Sequence, residues 1–159
     1  MADEDAARRI LDALGLGNAD LEPIGLGLAS DAWLVRAADR GRDRSRDRRS
    51  VLRVANDPSD PTATYRMEHA IMARLTALGA TVPRPIVGDW SLDDWAGPAF
   101  SLTSWVPGTP LRPEDHARAP SALAKFLRRL HGLEIPGAGG VVVGDDGLLR
   151  GEQDEVQAG

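Results

Sequence analysis

The 159-residue chain contains no cysteine, so neither a disulfide framework nor a thiolate zinc site is open to it, and the fold must stand on packing. No segment approaches the roughly 18 apolar residues that a membrane span needs. The N-terminal stretch MADEDAARRI carries acids and arginines where a secretory signal would be apolar. A soluble, cytoplasmic protein is the resulting expectation. Positive charge is not in excess either. With 19 basic and 24 acidic residues the net charge is -5 and the pI about 5.2, which argues against a whole-protein nucleic-acid binder while leaving local basic patches open. Internal repeats are absent, and Lys125 is the only lysine.

What is present is enough for one domain with a real core, although a larger domain cut short would read the same way. Residues 3 to 14 have Ala7, Ile10, Leu11 and Leu14 on one helical face, with Gly15 and Gly17 available to end the helix. Its apolar stripe needs a partner. LEPIGL and AWLVRA, between 21 and 38, read as two strands, and VLRVAN at 51 to 56 as a third. The period then changes: Met67, Ile71, Leu75 and Leu78 recur at helical spacing, with Asp60 as N-cap, Pro61 in the first turn and Gly79 at the end. PRPIVGDW at 83 to 90 and PAFSLTSWV at 98 to 106 read as strands four and five. Leu123, Phe126, Leu127 and Leu130 mark a last helix running to about His131, capped near Ser121. The remainder, PGAGGVVVGDDGLLRGEQDEVQAG, holds one hairpin-like run and an acidic tail. The order predicts an α+β fold, an antiparallel five-stranded sheet with one packed helix.

Within that order, IGLGLASDAWLV at 24 to 35 places two glycines and a serine between strands. Such a turn lets backbone amides approach phosphates; it equally fits a tight turn with unusual backbone angles. The series GLGLAS, then VLRVAN, then Glu68 on the following helix resembles the ATP-binding lobe of the aminoglycoside phosphotransferase family, small-molecule kinases with a kinase-like fold. The resemblance covers roughly residues 20 to 133. With the N-terminal helix set apart over 1–19, it implies an ATP-binding lobe over 20–106 and, over 107–159, the incomplete start of a helical second lobe with the acidic tail.

The same resemblance assigns roles. Gly25, Gly27 and Ser30 would cradle phosphates. Arg53 would contact them from the third strand, and Glu68, fifteen residues on, would orient Arg53 through an ion pair. Ser104, Trp105 and Val106 would form the hinge that meets adenine. ATP and Mg²⁺ would be the cofactors, and the acceptor a small-molecule hydroxyl. Arg53 departs from the family's usual lysine, so its planar fork would meet phosphate differently. Taken alone, it also fits a strand arginine whose stem packs while its head reaches water. Trp105 likewise fits plain packing, and His131 fits a structural or capping histidine.

The catalytic part is missing from this pattern. Such kinases need an aspartate for the acceptor hydroxyl, an asparagine shortly after it and a second aspartate for Mg²⁺. In HGLEIPGAG, Leu133 stands where the first aspartate belongs, and a leucine cannot accept a proton. Asp145 and Asp146 read as a hairpin turn. The expectation is therefore an N-terminal portion without catalytic residues or metal ligands of its own, with an exposed lobe face prone to self-association. Two other readings stand beside it. One is a catalytically silent nucleotide-binding or regulatory module. The other rests on RAADRGRDRSRDRR at 36 to 49, seven arginines against three aspartates, which is either an RNA or acidic-partner contact or a solvated loop.

Overall fold

In the computed structural model the alternating apolar runs become strands, as their period of two requires. Residues 3–27, 29–37, 48–56, 62–108, 119–132, 141–144 and 148–151 are described. Helix α1 spans Glu4–Ala13, followed by β1 (Asp20–Leu26), β2 (Ser30–Ala37) and β3 (Arg48–Ala55). Helix α2 (Thr62–Ala77), β4 (Pro85–Gly88) and β5 (Phe100–Ser104) come next. After these come α3 (Ala119–His131) and the strands β6 (Val141–Val143) and β7 (Leu149–Gly151). The first five strands form one antiparallel sheet in the order β1-β2-β3-β5-β4. This is the α+β arrangement of a kinase-like N-terminal lobe.

The chain divides into two compact units. The first holds residues 1–66 and 85–105, the second 67–84 and 106–159. In the first, Trp33 and Val35 of β2, Leu52 and Val54 of β3, and Phe100 and Leu102 of β5 share one sheet face. Ala6, Ala7, Ile10 and Leu11 of α1 pack against that face, so the helix's apolar stripe finds its partner in the sheet. Asp3 caps α1 by accepting the Ala6 amide at 3.0 Å. Arg8 donates to the Ala19 carbonyl at 2.8 Å, tying the helix to the start of β1.

In the second unit α2 continues to Ala77 and α3 follows. Gly15 and Gly79 have φ of 70° and 72°, the left-handed conformation that ends a helix, just past α1 and α2. Arg129 of α3 donates to the Gly79 carbonyl at 2.9 Å. The strands β6 and β7 pair as an antiparallel hairpin. Asp145 and Asp146, expected at its turn, lie outside the described residues, as do Asp60, Pro61 and Leu133.

Several boundaries differ from the sequence reading. β4 ends at Gly88 because Asp89–Ser91 turn into a short 3₁₀ helix. β5 stops between Pro98 and Pro107, neither of which has an amide to give to a ladder. α3 begins at Ala119, two residues before the expected Ser121 cap. On α2 the helix is as predicted but its buried face is not. Of Met67, Ile71, Leu75 and Leu78 only Leu75 is buried, while Leu78 is 49% exposed. Among the described side chains of that helix, Tyr65 and His69, four residues apart, are the others that are buried.

Candidate functional site

The turn between β1 and β2 closes when the Gly27 amide donates to the Ser30 carbonyl at 3.1 Å. A Cβ on Gly27 would lie 2.6 Å from that oxygen, so this approach is open only to glycine. Gly25 is less constrained, since its Cβ would make an ordinary 3.8 Å contact with Ala32. Neither glycine has the positive φ that the sequence left open. What the turn requires is space at Gly27.

Asn56, just past β3, braces this turn from the neighbouring strand. Its side-chain amide donates to the Gly27 carbonyl at 2.8 Å and to Asp31 Oδ1 at 3.3 Å. Its backbone amide donates to the Ala29 carbonyl at 3.0 Å. Nothing local in the sequence marks this role, because donor and acceptors are 25 to 29 residues apart. The signal becomes visible only once the β2–β3 register is known.

Two rungs from the turn, Arg53 lies in a row that crosses the whole sheet. Register pairs Gly25 with Ala32, Ala32 with Arg53, Arg53 with Ser101, and Ser101 with Gly88. The guanidinium thus rises from a floor of two glycines, an alanine and a serine. Because Leu52 and Val54 on either side belong to the α1 core, alternation directs Arg53 to the opposite face. Its Cζ lies 5.0 Å from the centre of the Tyr65 ring, and that ring is 2% exposed. At the end of the row, the Trp90 ring occupies the space a Gly88 Cβ would take.

The expected hinge begins where the sheet ends. Ser104 closes β5 opposite Ser50, and the Trp105 amide donates to the Arg49 carbonyl at 3.1 Å. Trp105 is the last residue of the first unit and Val106 begins the next stretch of the second. All three are half-buried. Counting rungs, the glycine turn opposite Ala55 and the hinge opposite Ser50 stand five residues apart along β3, about 17 Å at strand rise. Arg53 lies between them. The structure therefore brings Gly25, Gly27, Ser30, Arg53, Ser104 and Trp105 onto one sheet. Glu68 is on α2, half-buried, and belongs to the second unit with Val106.

Among the described residues no group of three or more histidine or acidic side chains could hold a metal ion, and no helix is long and apolar enough to cross a membrane. Most of the arginine-rich stretch, residues 38–47, lies outside the described residues. A family model described as "Phosphotransferase enzyme family" matches residues 20–151, which takes in the sheet, α2 and α3 and the final hairpin. No curated protein matches the chain.

Proposed function

The chain belongs to the phosphotransferase enzyme family, and from that membership we propose that its five-stranded sheet binds ATP for transfer of the γ-phosphoryl group to a small-molecule hydroxyl. The observation that carries this reading is the row through Arg53. A single cation stands among side chains too short to block a ligand, on the face away from the core, two rungs from a turn that excludes any Cβ at Gly27.

In this reading the order along the face is the order of the nucleotide. Adenine meets the backbone at Ser104 and Val106. The Trp105 amide already serves Arg49, so the donor role toward the base falls to Val106. Arg53 reaches the phosphates, and the backbone around Gly25, Gly27 and Ser30 cradles the terminal ones, where fixed dipoles and a cation stabilise charge developing in transfer. Glu68, on α2, is the carboxylate that the family pattern pairs with this strand cation, and in this reading it orients the guanidinium. Mg²⁺ would accompany ATP and neutralise phosphate charge. The described residues offer no cluster to hold it, and no step is assigned through it.

Titration calorimetry of the full chain with ATP and Mg²⁺ tests the reading. Binding that falls about tenfold or more in Arg53→Ala, as loss of a charge-assisted contact implies, supports it. Absence of ATP binding, or equal affinity in the variant, rejects it. A second reading is favoured by Leu133 in place of the expected aspartate: a nucleotide-binding module that carries out no transfer. ATP binding with no phosphate delivered to a panel of hydroxyl acceptors would select it.

A further inference from the structure

We propose that Tyr65 is a positioning residue for Arg53, and that its ring is what fits arginine, rather than lysine, to this place in the sheet. The inference rests on the nucleotide-binding reading and extends it to a residue that no motif marks. Tyr65 is the only tyrosine in the chain, sits in the first turn of α2 and is almost wholly buried, so its ring is a fixed surface. The Arg53 guanidinium lies 5.0 Å from the ring centre, within the distance at which a cation is held by the ring's electron-rich face.

The neighbours of Arg53 across the sheet, Ala32 and Ser101, are short side chains. The ring adds a surface that restricts where the long side chain points. A planar, weakly hydrated guanidinium stacks on an aromatic face, whereas an ammonium is a compact charge that keeps its water and stacks less well. Tyr65 and Arg53 therefore act as a unit. The ring limits the arginine's conformations before ligand arrives, so less freedom is lost when the fork meets phosphate.

The test is calorimetric binding of ATP and, separately, of adenosine to the full chain. Tyr65→Phe keeps the ring and is expected to hold ATP affinity within about twofold. Tyr65→Leu keeps apolar bulk but removes the ring, and ATP affinity is expected to fall about 5- to 30-fold with adenosine affinity unchanged. In the Arg53→Ala background the leucine change should add nothing. Arg53→Lys, at a half-buried strand position, should also weaken ATP binding while Tyr65 is intact.

Equal losses for ATP and adenosine in Tyr65→Leu would overturn the inference, as would an undiminished leucine effect without Arg53 or full affinity in Arg53→Lys. If the unaltered chain binds neither ligand, it is the nucleotide reading that fails. A double-mutant cycle on unfolding free energy then judges the Tyr65–Arg53 pair by itself, and additive losses would reject it.

Discussion

On one side of the five-stranded sheet Trp33, Val35, Leu52, Val54, Phe100 and Leu102 are sealed by α1; on the other, Ala32, Arg53 and Ser101 lie in register with Tyr65 against the arginine. The two faces come from the same three strands, one residue out of step. The α1 side is mostly hydrocarbon and aromatic ring, with Asp31 and Ser50 buried on the same face, and it is closed by Ala7, Ile10 and Leu11 with no exposed area. The Arg53 side has Ala32 and Ser101 beside the arginine, with the buried Leu34 and half-buried Val51 two residues further along their strands and Tyr65 against the guanidinium. Side-chain alternation therefore divides the sheet: the α1 face carries more of the large apolar side chains, while the other holds a charge with small neighbours on its own row.

The largest effect should come from breaking the first face. Ile10→Ala removes a fully buried side chain from the α1 layer, and a loss of about 2–5 kcal/mol in unfolding free energy is expected. Urea unfolding followed by circular dichroism checks this. A loss under 1 kcal/mol would mean that α1 is not needed to close the sheet, and the contrast between the faces would collapse.

The glycine turn sharpens the contrast within the second face. Gly27→Ala must displace the Ser30 carbonyl, whereas the added methyl of Gly25→Ala meets only Ala32 at an ordinary distance. About 1–3 kcal/mol of strain is expected for the former, as for other overpacked sites, with most of it appearing as lost ATP affinity if the turn shifts. Gly25→Ala should stay close to the unaltered chain in the same titration. Equal behaviour of the two variants would contradict the geometry at Gly27.

Much of this frame was readable in the sequence, and the parts that were not share a cause. Strands β1, β2 and β3 and helices α1 and α2 follow from periodicity, because local alternation is set by which face meets the core. The stripe Met67, Ile71, Leu75 and Leu78 gave the helix but the wrong buried face, since burial of Tyr65 and His69 depends on what the helix meets. Gly25, Gly27, Ser30 and Arg53 were visible as a motif, yet that Gly25 and Arg53 share one row, two rungs from the turn at Gly27 and Ser30, depends on the β1–β2–β3 register. Asn56 and Tyr65 were not visible as functional candidates at all. Each acts on a residue that only tertiary pairing brings near, and an asparagine after a strand or a tyrosine in a helix carries no pattern of its own.

Asn56 also offers the finest test of the functional face, because its bond to Gly27 is exposed to water and the one to Asp31 only partly buried, so their net worth is small. Asn56→Ala should cost about 0.5–1.5 kcal/mol of stability, less than either core or glycine changes. Its consequence for binding should be more selective. Losing the bonds to the Gly27 carbonyl and Asp31 frees the turn without touching Arg53, so affinity for ATP should drop while affinity for adenosine holds. Asn56→Gln, with the same amide on a longer arm, should recover only part of the loss because its reach no longer matches the 2.8 Å contact. Unchanged ATP affinity in Asn56→Ala would show that the turn is held by its own Gly27–Ser30 bond, and that the brace from β3 plays no part in binding.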